Sequence, residues 1–179
     1  ANKGDNNIAA IRAAALGIGA CAIADPTDAE LSEQVGAYLS RANDFYAWYL
    51  DARMETGMQE GYQYTSYALE NLITAMDIVG RVTGETGLLD NEYFNEVFVD
   101  WVVHFMAPGS GALPAISDSN SAAYFFNTMS ILNKSKQDGN AGYYLSAARP
   151  NAESLLQKFL YTSESPVIND PYKTLKLNK

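Results

Sequence analysis

Met58-Gln59-Glu60-Gly61-Tyr62-Gln63-Tyr64-Thr65-Ser66-Tyr67 holds the densest set of groups able to do chemistry, with three tyrosines inside six positions behind one carboxylate. A phenol is neutral below its ordinary pKa of about 10 and can hand over its proton; acting as a base requires positive charge nearby. Tyr64 and Tyr67 are three apart and share a face if the segment is helical. An aromatic core stripe, with Glu60 serving the first turn electrostatically, fits the same residues. Asn6 and Asn7 offer uncharged amides to a carboxylate or hydroxyl, and are equally good helix caps. Asp118, inside Ser117-Asp118-Ser119, is the carboxylate that pairs with Glu60 in any two-carboxylate chemistry, and Asp118 or Ser119 is also a natural N-cap. His104, the only histidine, lies beside Phe105 and near Trp101, where a lone histidine is usually structural. Any Ser-His-Asp or Cys-His site must use it. Cys21 stands alone, so intrachain disulfides, cysteine zinc sites and multi-histidine metal sites are excluded.

These groups need elements to hold them, and the hydrophobic periodicity is helical throughout. Asn6 or Asn7 caps a first helix running to about Ala24, rich in Ala and Gly. Asp25-Pro26-Thr27-Asp28 is a turn, and Asp28 caps a second helix through about Thr56, ended by Gly57. Leu31, Val35, Tyr38, Leu39, Ala42, Phe45, Tyr46, Tyr49 and Leu50 form its apolar stripe. A third helix spans about Tyr62 to Val82, with Tyr64, Ala68, Leu72, Ile73, Met76 and Val79 or Gly80 inward. A fourth spans Asn91 to about Met106, with Phe94, Phe98, Trp101, Val102 and Phe105 inward. After a Pro- and Gly-containing loop, a fifth runs from Ser119 to about Leu132 and stops at Asn133-Lys134-Ser135-Lys136. Shorter pieces are predicted near 142–148 and 151–161, and no strand before Ser165. The fold class is therefore all-α, in consecutive antiparallel hairpins that suit a toroid or solenoid as well as a bundle.

The chain has 179 residues, 47% of them hydrophobic and 18% charged, which supports one packed domain. Its 12 Lys+Arg against 21 Asp+Glu give a net charge of −9. That balance argues against a nucleic acid and against an anionic membrane surface. No apolar run reaches the length of about 18 residues a membrane-spanning helix needs. Phosphate loops, dinucleotide fingerprints and calcium loops are missing, so no cofactor is implied. The 12 tyrosines, 12% aromatic content overall, suit a groove for sugars, whose rings combine apolar faces with hydroxyls.

The order of motifs resembles a known family. An Asn-Asn helix start is followed by AALGIGACAIAD, a long amphipathic helix, GMQEGYQYTSYALENL and APGSGALPAISDSNS. This is similar to the helical domain of the heparinase II/III-like polysaccharide lyases, which include relatives acting on alginate oligomers. The family pattern is Asn-Asn-Trp or Asn-Asn-His, then Asp-Gly-x-x-x-Glu-Gly-x-x-Tyr-x-x-Tyr, then Gly-Asp-Ser. Glu60-Gly61-x-x-Tyr64-x-x-Tyr67 is the most specific match, and the likeness covers about residues 4 to 125, more loosely to about 163. Ile8 replaces the Trp or His, Ser117 replaces the Gly of Gly-Asp-Ser, and Gly57-Met58-Gln59 matches the Asp-Gly pair only loosely. The family's second catalytic group, often His or Tyr from later in its chain, has no counterpart in His104.

The resemblance implies an incomplete (α/α) toroid followed by a β-sandwich, and β-elimination at a uronic acid. Asn7, or Asn6, would neutralise the uronate carboxylate. Tyr64 would be the general acid and potentially the base. Glu60 and Tyr67 would be structural or would position substrate, and Asp118 would be structural or lie at the cleft edge. A uronate polysaccharide partner and a periplasmic or extracellular location come with it. Residues 1–164 are then expected to be a toroid segment and 165–179 a tail where a β-domain would begin. The missing initiator Met and signal peptide fit a segment of a longer protein, with little or no activity alone. Two alternatives stay open: an (α/α) glycoside hydrolase using Glu60 and Asp118, and a non-catalytic carbohydrate-binding or scaffold module.

Overall fold

The computed structural model describes residues 6–56, 60–107, 110–119 and 123–147. They form six α-helices: α1 (Asn7–Ile23), α2 (Ala29–Thr56), α3 (Gly61–Thr83), α4 (Val99–Phe105), α5 (Phe126–Lys136) and α6 (Gly139–Ala147). A 3₁₀ turn (Thr86–Leu89) follows α3, and a π-helical segment (Tyr93–Phe98) runs straight into α4. Leu113 and Ala123 make one isolated antiparallel bridge. The fold is all-α, with no strand among the described residues, and no helix there is long and apolar enough to cross a membrane.

The helix ends follow local chemistry. The Asn6 side chain accepts from the Ala9 N–H to open α1, and Asp28 does the same for Leu31 in α2. Gly84, with φ +77°, ends α3 in the left-handed conformation that glycine adopts without strain. Asp138 opens α6 by accepting from the Asn140 and Ala141 N–H groups.

Alternate helices run in the same direction. Asn7 at the start of α1 bonds Glu60 at the start of α3, while Gly17 further along α1 lies against Val79 near the end of α3. Asn127 early in α5 donates to Glu70 and Thr74 of α3, and Lys136 at its end reaches Leu89 just beyond α3. So α1, α3 and α5 are parallel neighbours. Between them α2 returns antiparallel to α1, its Tyr46 hydroxyl donating to the Ala13 carbonyl. On that side α2 meets the π-helical segment, Asn91 just before that segment donating to Asp51, and α4 meets α6 through Asn140 and Asp100. Ala10, Ala13 and Ala14 let α1 approach closely.

The core is aromatic as much as aliphatic. Tyr46, Tyr49, Tyr62, Phe94, Phe98 and Phe125 are fully buried beside Leu50, Leu69, Leu72 and Ile73. Burying each of the large apolar side chains contributes roughly 1.5–3 kcal/mol relative to exposure. Tyr144 closes the far side, its hydroxyl accepting from the Phe125 N–H and donating to the Gly111 carbonyl.

Several expectations need correction. The fifth helix starts at Phe126, not Ser119: Ala123 is taken up in the bridge with Leu113, and Ser119 caps α3. It runs through Asn133-Lys134-Ser135-Lys136 and ends at Gln137, with φ +57°. Lys136 is fixed there by the Leu89 carbonyl and by an ion pair with Asp90. Tyr64 is off the apolar face of α3, as are Tyr38 on α2 and Phe105 on α4, all three exposed. The predicted Gly57 stop and the pieces at 151–161 and 165–179 lie outside the described residues.

Candidate functional site

The candidate residues gather where α1 and α3 begin, and the gathering is done by exchanged helix caps. Glu60 occupies the N-cap position of α3 but gives that helix no side-chain cap bond. Its Oε2 instead accepts the first N–H of α1, from Asn7, at 2.8 Å. The N–H of Gln63 in α3 is satisfied by Ser119 Oγ at 2.9 Å. Each helix start is thus closed by a residue from another segment, which satisfies donors that would otherwise be orphaned. A carboxylate at the start of α1 also complements its dipole.

Gly61 makes this junction possible. Its φ of +79° belongs to the left-handed region, and a Cβ there would run into the Ile116 carbonyl oxygen and crowd Ser119 Oγ. The 110–119 loop therefore lies directly on the start of α3. Ser66 adds a second tie by donating to the Tyr124 carbonyl.

The three tyrosines of the motif divide by role. Tyr62 is buried against Trp101, with ring centroids 5.7 Å apart, and burial raises its hydroxyl pKa. Tyr64 and Tyr67 are 38% and 51% exposed, so the packed-stripe alternative holds for Tyr62 alone. No hydrogen bond engages the Tyr64 hydroxyl among the described residues. Asn7 is buried, 8% exposed, and Asp118 is exposed in the turn next to Ser119. Glu60 and the 110–119 loop thus bring Asn7, Tyr64 and Asp118 to one end of the molecule. A cleft of about 470 Å³ runs on between α1 and α3; Tyr67 lines it, and Asn7, Tyr64 and Asp118 do not.

Asn6 and Glu60 both have visible structural work as caps of α1. His104 is exposed at the end of α4, its Nδ1 against the Asp100 carbonyl. The four arginines among the described residues do not converge on the site. Arg12 and Arg41 are exposed on α1 and α2, Arg53 is buried over the Tyr49 ring at 3.5 Å, and Arg81 pairs with Asp77 near the end of α3. Chemistry here would use neutral donors: the Asn7 amide and the Tyr64 phenol.

Sequence reasoning missed two residues. Ser119 reads as an N-cap of its own helix and caps α3 instead. Tyr124 is exposed and stacked on Phe126 at 5.4 Å and 13°, beside the site through Ser66; the Tyr124-Phe125-Phe126 run was its only signal. Comparison with protein-family models, with curated proteins and with solved structures found no match.

Proposed function

We propose that this chain is a helical part of a polysaccharide lyase-like protein and that a uronate-containing polysaccharide lies across the end where α1 and α3 begin. The observation that carries this reading is the Glu60–Asn7 tie. It joins the Asn7 backbone to the N-cap residue of α3, the helix whose first turns carry the exposed Tyr64 and Tyr67. The parallel row of α1, α3 and α5, with α2 and α4 between them in sequence, is also the alternation an (α/α) toroid segment requires.

In this reading Asn7, with Asn6 at its side, hydrogen-bonds the uronate carboxylate and makes the C5 proton acidic. A base removes that proton, the C4–O4 bond breaks as the C4=C5 double bond forms, and Tyr64 returns a proton to O4. Tyr64 itself is the base if a cation is brought close to it. Tyr67 and Glu60 position the chain, and Asp118 bounds the cleft. A periplasmic or extracellular setting belongs to the same proposal.

A second reading, a carbohydrate-binding module without catalysis, is favoured by one observation: Asn6 and Glu60 are committed to closing α1. A hydrolase using Glu60 and Asp118 must also overcome that commitment of Glu60. Incubation with uronate polymers distinguishes the readings. The lyase reading expects ultraviolet absorbance from an unsaturated product, abolished by Tyr64→Phe. Binding without product selects the module, and neither binding nor product with any uronate polymer overturns both.

A further inference from the structure

Exposed tyrosines are concentrated at one place on the described surface. Among the described residues Tyr38, Tyr64, Tyr67 and Tyr124 are exposed, whereas Tyr46, Tyr49, Tyr62, Tyr93 and Tyr144 are buried. Tyr38 stands apart on α2. The other three gather about Ser66, which lies between Tyr64 and Tyr67 in α3 and donates its hydroxyl to the Tyr124 carbonyl. One large ring left in water is ordinary, but several around one residue mark a surface that meets something.

Tyr124 differs from the two tyrosines of α3 in how its ring is held. One face lies on Phe126, with centroids 5.4 Å apart and planes within 13° of parallel. Phe126 is itself buried and packs on Tyr144, whose hydroxyl is fixed between the Phe125 N–H and the Gly111 carbonyl. Ala123, on the other side in sequence, is taken up in the bridge with Leu113. The backbone is thus pinned before Tyr124, after it, and by Ser66 at Tyr124 itself. The residue is nevertheless 38% exposed, so its ring has a firm backing on one face and solvent beside it. A ring ordered in advance loses little conformational entropy when a ligand settles on it.

A flat π face backed by a second ring suits a ligand that brings a flat set of C–H groups. A pyranose ring does this with one of its faces, while its hydroxyls project sideways toward water and polar side chains. A nucleobase also stacks on tyrosine, but its phosphate strand would meet a chain of net charge −9. We infer that Tyr124 is a stacking platform for one sugar ring of a saccharide chain, a subsite separate from the position of Tyr64. The inference rests on the uronate reading for the identity of the sugar and deepens it. The ligand becomes a chain of sugars held at more than one point, with Tyr124 binding a ring at which no bond is broken.

Titration of the full chain with oligomers of six mannuronate units and of six glucuronate units, followed by calorimetry and by proton nuclear magnetic resonance, tests the subsite. The oligomer that binds is expected to show upfield ring-current shifts of its sugar C–H protons and cross-relaxation with the Tyr124 ring protons. Tyr124→Ala is expected to weaken its binding about threefold to tenfold, the size of an aromatic face contact. Tyr124→Phe keeps the ring and is expected to bind as the wild type does, and so is Tyr38→Ala on α2. The resonance signature is read on the wild type, so it holds whether or not Tyr124→Ala folds normally. No binding of either oligomer by the wild type overturns the uronate reading and this subsite with it. Binding without contact to the Tyr124 ring, binding unaltered in Tyr124→Ala, or equal losses in Tyr124→Phe and Tyr124→Ala overturn the subsite alone.

Discussion

The backbone N–H of Asn7 and the carboxylate of Glu60 meet at 2.8 Å across 53 positions of sequence, so the starts of α1 and α3 are held by one shared bond. The bond satisfies an orphan donor of α1 and places a negative charge at the positive end of its dipole. Glu60→Ala removes both effects and is expected to cost about 1 kcal/mol. Glu60→Gln keeps an acceptor and loses only the charge, so it should cost less. Urea unfolding of both variants checks the order. Equal stability of wild type and Glu60→Ala would remove the tie from the list of interactions that hold the site together.

Gly61 is the backbone counterpart of that tie. Its φ of +79° and the Ile116 carbonyl above it leave no place for a side chain. Gly61→Ala forces an L-residue into a left-handed conformation at a cost of roughly 1–2 kcal/mol, with the clash added. The 110–119 loop is expected to detach from α3 first. Amide exchange should therefore speed up at Gln63, whose N–H is bonded to Ser119, before it does so in the middle of α3. Unchanged protection at Gln63 would contradict this.

Tyr64 separates chemistry from packing because it is exposed while its neighbour Tyr62 is buried. Tyr64→Phe should leave the thermal midpoint within the range of ordinary surface changes, about 0.5 kcal/mol or less. Tyr62→Ala, by contrast, removes an aromatic side chain packed on Trp101 and Phe105 and should cost about 3 kcal/mol or more. A large loss of stability in Tyr64→Phe would mark this tyrosine as structural and withdraw it from the proposed site.

What the sequence reveals depends on how local the cause is. The ends of α1, α2 and α3 are legible because Asn6, Asp28 and Gly84 act within their own turns. The start of α5 is not, since Ser119 serves Gln63 and Leu113 pairs with Ala123, both across the fold. The π-helical geometry at Tyr93–Phe98 leaves no mark in the period of apolar residues. For the site, residue types and order are legible, but the Asn7–Glu60 bond is not. Nor does spacing show that Tyr64 leaves the core while Tyr62 enters it, because that depends on which face of α3 its neighbours cover.

Tyr93 offers a gain in stability. Its ring is 1% exposed in the core, and its hydroxyl has no hydrogen-bond partner. An unsatisfied buried hydroxyl carries its desolvation cost without compensation. Tyr93→Phe keeps the packing against Phe94 and Phe98 and is expected to be neutral or stabilising by up to about 1 kcal/mol. Denaturant unfolding measures it, and a clear destabilisation would point to a role for the hydroxyl in the π-helical segment.

Alkaline pH probes the same core. Burial pushes the hydroxyl pKa of Tyr46, Tyr93 and Tyr144 upward, against weaker opposing effects from the Arg53 charge at Tyr93 and the Phe125 N–H at Tyr144. In the unfolded chain each titrates near the ordinary value of about 10. Below that pH both states hold the proton, and the stabilisation is fully present. Above it the unfolded chain releases protons that the folded chain keeps, so stability falls as pH rises. Each such tyrosine contributes a slope of about 1.4 kcal/mol per pH unit, roughly 4 for the three together, until its folded pKa is reached. Urea unfolding followed from pH 9 upward should show this decline. Phenolate absorbance of these three tyrosines should appear together with loss of helical ellipticity. Full phenolate titration of all twelve tyrosines with ellipticity intact would show that the three are not buried as described.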